Sequence, residues 1–367
     1  MASVRRTLLV LLLGSLLLAC GETAAVTDDG GGTDSGSGDS GADSGPRPTE
    51  PVTVVAMDGE YVHFTVENRR RVNVEVDFPE ASALYGQVIM HFALRCPADG
   101  GCDWWDRRGS LSIIENPGVP EDMEQRVEIS RFVTPYRVGA SWDVDVTDLR
   151  PLLSGTRTLQ VFIDTWVGPG HANGAGWLVD VSFEHIPGTP ERRAISVVPL
   201  YRQQQPVYGD PMRPITSQVM AQSLAVPAGA SSLAIRTFIT GHGQGNAENC
   251  AEFCVRDHTF TVEGTQTTRE IWRDDCATTA APGQAGTWMY PRAGWCPGAE
   301  VHHWAFDVAL PTDGALDVSY DVETYENTCR PDAPTCMGCT LGTGCDYDGG
   351  AHTEPHYDLS ALLIAYE

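Results

Sequence analysis

The feature that most constrains this chain is a succession of short strand-like runs. Tyr61–Glu67 (YVHFTVE), Val72–Phe78, Gln87–Leu94, Leu159–Val167 and Trp177–Ile186 are followed by Leu233–Gly241, His258–Gly264, His302–Leu310, Leu316–Tyr325 and Leu359–Glu367. Val, Ile, Phe, Tyr and Thr fill the runs, and Gly, Pro, Asp and Asn separate them. That is the signature of β-strands joined by turns. Only Asp145–Gly155 (DVTDLRPLLSG) reads as briefly helical. The expected fold class is all-β, with two antiparallel jelly-roll or β-sandwich domains packed side by side. Ile186–Arg192 (IPGTPER) carries Pro, Gly and Pro between strand runs and marks the boundary. The expected domains are therefore 51–188 and 189–367, the second with a cysteine-rich insertion at 329–345.

The start of the chain speaks to compartment. Arg5 and Arg6 precede an apolar run, Leu8–Ala19, which is too short to span a bilayer and reads as a signal peptide over residues 1–19. LLAC, ending at Cys20, resembles the lipobox of bacterial lipoproteins, which implies cleavage before Cys20 and a lipid on its thiol. Residues 20–50 are dominated by Gly, Ser, Asp and Thr with no aromatic residue, so a flexible tether is expected. The expected location is exported and lipid-anchored to the bacterial cell envelope, at the outer membrane or cell surface.

Composition excludes some partners. The net charge is −25, and loss of the two signal arginines makes it −27, a poor match for nucleic acid. A neutral glycan remains compatible. Of the eleven cysteines, ten remain beside Cys20, and in an oxidising compartment these read as disulfides.

Four constellations carry candidate chemistry. In CPADGGCDWWDR, Cys96 and Cys102 are close enough to close a small loop. Asp103, Trp104, Trp105, Asp106 and Arg107 then leave from a fixed point, as a preorganised site requires. The plain alternative is a structural disulfide beside a surface ion pair. In FIDTW, Asp164 and Trp166 share one strand face and could hold a sugar by a hydroxyl contact and a stacked ring; Trp166 could equally be core. If Cys250 and Cys254 pair in NCAEFC, Glu252 sits at the tip of a tight loop, where partial burial would raise its pKa. In PRAGWCPG, Arg292 and Trp295 stand beside Cys296, whose nearest remaining partner is Cys276.

Together these stretches, with Ile129–Gly155 and Gly188–Leu200, resemble the bacterial peptide-N-glycosidase F family, amidases that release N-linked glycans from asparagine. The resemblance implies two jelly rolls with the site in the cleft between them. It places the family's essential aspartate on Asp106, its supporting glutamate on Glu252, its arginine on Arg292 and a third acidic position on Asp164. There the family pattern has glutamate, so the carboxylate retreats by roughly 1.5 Å. His242 stands where the family has a sugar-lining tryptophan. The resemblance further implies that Arg107 orients the essential carboxylate and holds its ionised form, and that Trp105 and Trp166 present faces to the chitobiose core; Arg292 and Trp295 read as substrate-binding machinery or as plain structure. No metal or other cofactor is expected. The expected partners are N-glycosylated proteins or glycopeptides and a lipid bilayer through Cys20, and the expected state is monomeric.

Two other readings stand beside this one. A glycan-binding surface protein could keep the fold without catalysis, with Asp164 and His242 as the reasons. A copper-dependent redox protein, as in the peptidylglycine monooxygenases with their paired jelly rolls, would need His242, His302 and His303 as ligands. In the tail, Cys329, Cys336, Cys339 and Cys345, with His352 and His356, suggest two disulfides ahead of a zinc site.

Overall fold

The computed structural model describes residues 47–331, 333–339 and 353–367. The signal segment, Cys20, most of the tether, Cys345 and His352 lie outside the described residues.

Among the described residues, eighteen strands form four sheets. The first half contributes β1 (Val52–Phe64), β2 (Asn68–Arg69), β3 (Arg71–Phe78), β4 (Tyr85–Arg95), β5 (Arg108–Ile114), β6 (Arg126–Val133), β7 (Ala140–Asp145), β8 (Gly155–Ile163) and β9 (Trp177–Pro187). The second contributes β10 (Ala194–Gln204), β11 (Gln222–Ala225), β12 (Ser232–His242), β13 (Asp257–Val262), β14 (Thr265–Glu270), β15 (Ala299–Glu300), β16 (Trp304–Val308), β17 (Ala315–Val322) and β18 (His356–Tyr366). The first half's sheets run β2-β1-β9-β4-β7 and β15-β6-β5-β8-β3; the second half's run β10-β18-β12-β16 and β11-β17-β13-β14. All named pairings are antiparallel.

With β2 and β15 set aside, both halves wind alike. The first strand pairs with the last, the last with the third, and the third with the sixth. The other four form the facing sheet. This is the jelly-roll winding, made twice. The short strand β15 departs from a clean division: it belongs to the second half in sequence but pairs with β6 of the first.

Strand patterns follow what each face meets. β9 alternates buried and half-buried residues, as a strand with one face on the core does. β12 and β18 are buried along almost their whole length. In β18, Leu359, Ala361, Leu363 and Ala365 enter the second half's own core, while Leu362, Ile364 and Tyr366 enter the core of the first. A strand apolar on both faces is thus sandwiched between the two jelly rolls, and its burial cements them. Each fully buried Leu contributes about 2 kcal/mol, so truncating Leu362 to Ala weakens the junction as well as the strand. The segment expected to be helical makes one 3-10 turn, Thr147–Leu149, with Pro151 close behind to stop it.

Candidate active site

The disulfide Cys96–Cys102 forms at the end of β4, and Asp103–Arg107 follow it into β5. The stretch is held by more than the disulfide. Asp103 is fully buried; it accepts hydrogen bonds from the Thr165 hydroxyl at 2.7 Å, the Arg107 Nε at 2.8 Å and the Trp105 backbone N–H at 3.0 Å. Gly174, at φ +109°, lets the neighbouring loop lie flat against this turn: a Cβ there would stand 2.1 Å from the Cys102 carbonyl oxygen. Buried on one side and anchored at its first carboxylate, the turn turns Trp104 and Trp105 outward, 37% and 55% exposed.

Asp106 points the other way, into a cluster made by both halves of the chain. Its Oδ2 accepts the Tyr136 hydroxyl at 2.7 Å, from the connection between β6 and β7. The same hydroxyl lies 3.4 Å from Thr287 Oγ1, which accepts Arg292 Nη2 at 3.1 Å. Arg292, 1% exposed, donates its Nε to Glu252 at 3.3 Å and its Nη1 to the carbonyls of Thr287 and Tyr290. Glu252 sits in the loop closed by Cys250–Cys254, and the Cys276–Cys296 disulfide braces the chain after Arg292. Three segments from both jelly rolls thus bring Asp106, Glu252 and Arg292 together, although 146 positions separate Asp106 from Glu252.

The electrostatics follow from burial. Desolvation raises the Asp106 pKa, opposed by the Tyr136 hydrogen bond and the charges of Arg292 and Arg107. Glu252 is pushed up to about 7, first by burial and further by the Asp106 charge, with Arg292 opposing. Tyr136 is raised by burial and by the same carboxylate. Two carboxylates therefore share one buried arginine, and both hold protons more tightly than in water.

The other expected site residues fall elsewhere. Asp164 lies against Arg70 at 3.1 Å and Arg108 at 3.6 Å, and with His242 it lines a polar cavity of about 340 Å³ between the halves. That cavity begins two residues from Asp106, at Arg108, whose carbonyl accepts the Asp164 backbone N–H. His242 is buried, bonded to Thr240 Oγ1 at 2.9 Å and stacked on Trp295, with its pKa lowered to about 3 chiefly by desolvation. Asp358 stands between Arg108, His242 and His356; burial raises its pKa, but these neighbours and Arg131 outweigh that and bring it to about 2. Trp166 is half exposed, its ring covered on one side by the Arg70 guanidinium at 4.3 Å.

Two expectations need correction. Trp295 offers no surface to a ligand: it is 3% exposed, its indole N–H is given to the Gly241 carbonyl, and Arg292 covers its ring at 4.7 Å. Arg107 favours the ionised form of Asp106 by its charge but does not orient it by contact; its guanidinium is bonded to Asp103. Tyr136 and Thr287 belong to the cluster and carry no signal of their own in the sequence, while Asp103, read with its neighbours as a candidate, anchors the turn that presents Asp106. As for metals, no group of three or more His, Cys, Asp or Glu among the described residues is arranged to hold an ion, and Cys336 and Cys339 of the tail are bonded to each other. His303 stands edge-on to Phe238, and His242 stacks on Trp295.

Comparison with known proteins places this geometry. A family model described as peptide-N-glycosidase F, N terminal, matches residues 60–176, and its C-terminal counterpart matches 212–340. Peptide-N(4)-(N-acetyl-beta-D-glucosaminyl)asparagine amidase F of Elizabethkingia miricola is 29% identical over 237 residues, 61% of this chain. The match spans 64% of that relative's length, a little under two thirds. Among solved structures, the glycosylasparaginase PNGase F of Flavobacterium meningosepticum superposes with a TM-score of 0.69 at 23% identity, covering 87% of this chain and 96% of that one. PNGF-II gives 0.64 at 14% identity, covering 86% and 65%. At these identities the structural likeness speaks to the fold.

Proposed function

The chain belongs to the peptide-N-glycosidase F family, and on that premise we propose that it hydrolyses the amide between an N-linked N-acetylglucosamine and asparagine. The observation that carries the reading is the cluster of half-buried Asp106 and Glu252 with buried Tyr136 and Arg292 at the meeting of the two jelly rolls. Exposed Trp104, Trp105 and Trp166 nearby supply flat faces suited to sugar rings.

The chemistry asked of the cluster is amide hydrolysis. Asp106, ionised, takes a proton from water as the water oxygen attacks the side-chain carbonyl carbon of the glycosylated asparagine. The carbon–nitrogen bond then breaks, and the proton passes to the departing nitrogen. Asparagine becomes aspartate and the glycan leaves as its 1-amino sugar. Burial makes Asp106 a stronger base than a solvated aspartate, and Tyr136 and Arg292 keep its ionised form available. Glu252, which exchanges its proton near pH 7, positions the water. Arg292 holds both carboxylates in register.

A second reading, a glycan-binding protein without turnover, draws on Asp164, whose oxygens face Arg70 and Arg108. One experiment separates the two. The chain from Pro51 onward is incubated with a denatured N-glycoprotein, and the former glycosylation site is weighed. Asparagine converted to aspartate with release of intact glycan supports the amidase. Unchanged asparagine over several glycan types, with the glycans retained on the protein, supports the binding reading instead.

A further inference from the structure

Arg137 stands out among the arginines around the cluster. Arg107 is paired with Asp103, Arg108 with Asp358, Arg70 with Asp164 and Arg292 with Glu252. The Arg137 guanidinium has no carboxylate or carbonyl partner among the described residues; it lies 3.9 Å over the exposed Trp104 ring. Its backbone is fixed on both sides of the site: its N–H is bonded to the Asp103 carbonyl, and the preceding residue is Tyr136, which holds Asp106.

The backbone adds an independent pointer. Arg137 sits at φ 65°, in the left-handed region that favours glycine. A long β-carbon-bearing side chain kept in such a conformation, next to a reactive carboxylate, is the pattern found at ligand clamps. The chain elsewhere is strongly acidic, at −25, so an anionic substrate group would be repelled unless a local cation received it. Cation and ring together make a platform: the tryptophan face supports the substrate, and the planar guanidinium offers paired donors to a carboxylate.

We infer that Arg137 is a specificity-determining residue that engages a carboxylate carried by the substrate at the outer rim of the site, over Trp104. The carboxylate could belong to an acidic residue flanking the glycosylated asparagine or to an acidic sugar of the glycan. The effect on turnover rests on the amidase reading; the contact itself does not.

The test uses two matched pairs of glycopeptides. One pair shares a neutral glycan and differs by Asp against Asn next to the glycosylated residue. The other shares a neutral peptide and differs by a terminal acidic sugar. Wild type, R137Q and R137G are compared; R137G suits the left-handed backbone and guards against misfolding. For one of the two pairs, wild type is expected to favour the acidic member about tenfold in kcat/KM at low salt, the worth of a single charged contact. That preference disappears in both variants, with the neutral member within about twofold of wild type, and it shrinks in wild type as salt rises. Which pair responds identifies the source of the carboxylate. Equal rates within both pairs in wild type, or a preference retained in R137Q, overturns the inference. Binding of the same peptides is titrated in parallel. If nothing is hydrolysed, the amidase reading fails, and charge-dependent affinity lost in R137Q still supports the contact, while charge-independent affinity overturns it.

Discussion

Two carboxylate sites lie side by side between the jelly rolls, built from the same residue types and left in opposite states. Around Asp106, burial outweighs the cations: Asp106 and Glu252 share Arg292, and both pKa values move up. Around Asp358, burial is outweighed by Arg108, Arg131 and two histidines, in a lattice that also holds Glu128 and Asp164, and its pKa falls to about 2. Arg108 bonds Asp358 directly at 2.9 Å and lies 3.6 Å from Asp164. The difference teaches that direct contact with a cation, which Asp358 has in Arg108 and Asp106 lacks among the described residues, and not burial alone, decides whether an acid is poised to react or clamped as structure. The first site can exchange protons near neutrality; the second is a fixed charge lattice lining a cavity.

The sharpest way to break this comparison is to neutralise one acid on each side. D106N is expected to lower deglycosylation by about a thousandfold or more, since a general base typically supplies 10²–10⁴. D164N, on the clamped side, is expected to lose about tenfold through substrate placement. Equal losses measured by initial rates on one glycopeptide would erase the distinction between poised and clamped.

Stability against pH separates the sites next. Glu252 moves from 4.5 to about 7 on folding, so the folded state holds its proton more tightly than the unfolded one. Its contribution is full below about pH 4.5 and fades as pH rises through 7, by about 3 kcal/mol at most. E252Q does not titrate. Relative to wild type it should therefore gain about that much between pH 4 and pH 8, read from denaturant midpoints. An unchanging gap would mean that Glu252 is already ionised at pH 5.

Asp358 runs in the opposite sense. Its pKa falls from 3.8 to about 2 on folding, so its contribution is present above about pH 4 and is lost as pH falls through 2. D358N should cost about 2 kcal/mol at pH 7 and progressively less in acid. A cost that stays constant down to pH 2 would assign Asp358 to hydrogen bonding in place of charge.

These outcomes also mark what could be read from residues in order. Strands such as Trp177–Ile186 announce themselves because their alternation is local. The apolar run at Leu359–Glu367 reads as a strand too, but not that its two faces serve different jelly rolls, since both faces are apolar. Asp106, Glu252 and Arg292 were marked by a family resemblance attached to disulfides. Tyr136 was not, because nothing over a separation of 30 positions says which tyrosine returns to Asp106. Trp105 and Trp295 both neighbour cysteines in similar company, yet one is 55% exposed and the other 3%. Only the packing of β12 above Trp295, whose Gly241 carbonyl takes its N–H, tells them apart.

Tyr136 gives the smallest effect and the most specific one. Its hydroxyl donates a side-chain hydrogen bond to Asp106 and lowers that carboxyl's pKa against the pull of burial. Y136F keeps the ring and removes the donor. The ionised form of Asp106 loses support, so its pKa rises further and the acidic limb of the pH–rate profile moves to higher pH. One charge-assisted hydrogen bond is worth about 1.5 kcal/mol, so the rate on the acidic limb should fall about tenfold. Much of that loss should return as pH rises past the limb, where Asp106 is ionised again. A purely structural tyrosine would lower the rate equally at every pH and leave the limb in place. The limb therefore reports whether the difference between the two sites is set by this one hydroxyl or by burial of the whole cluster.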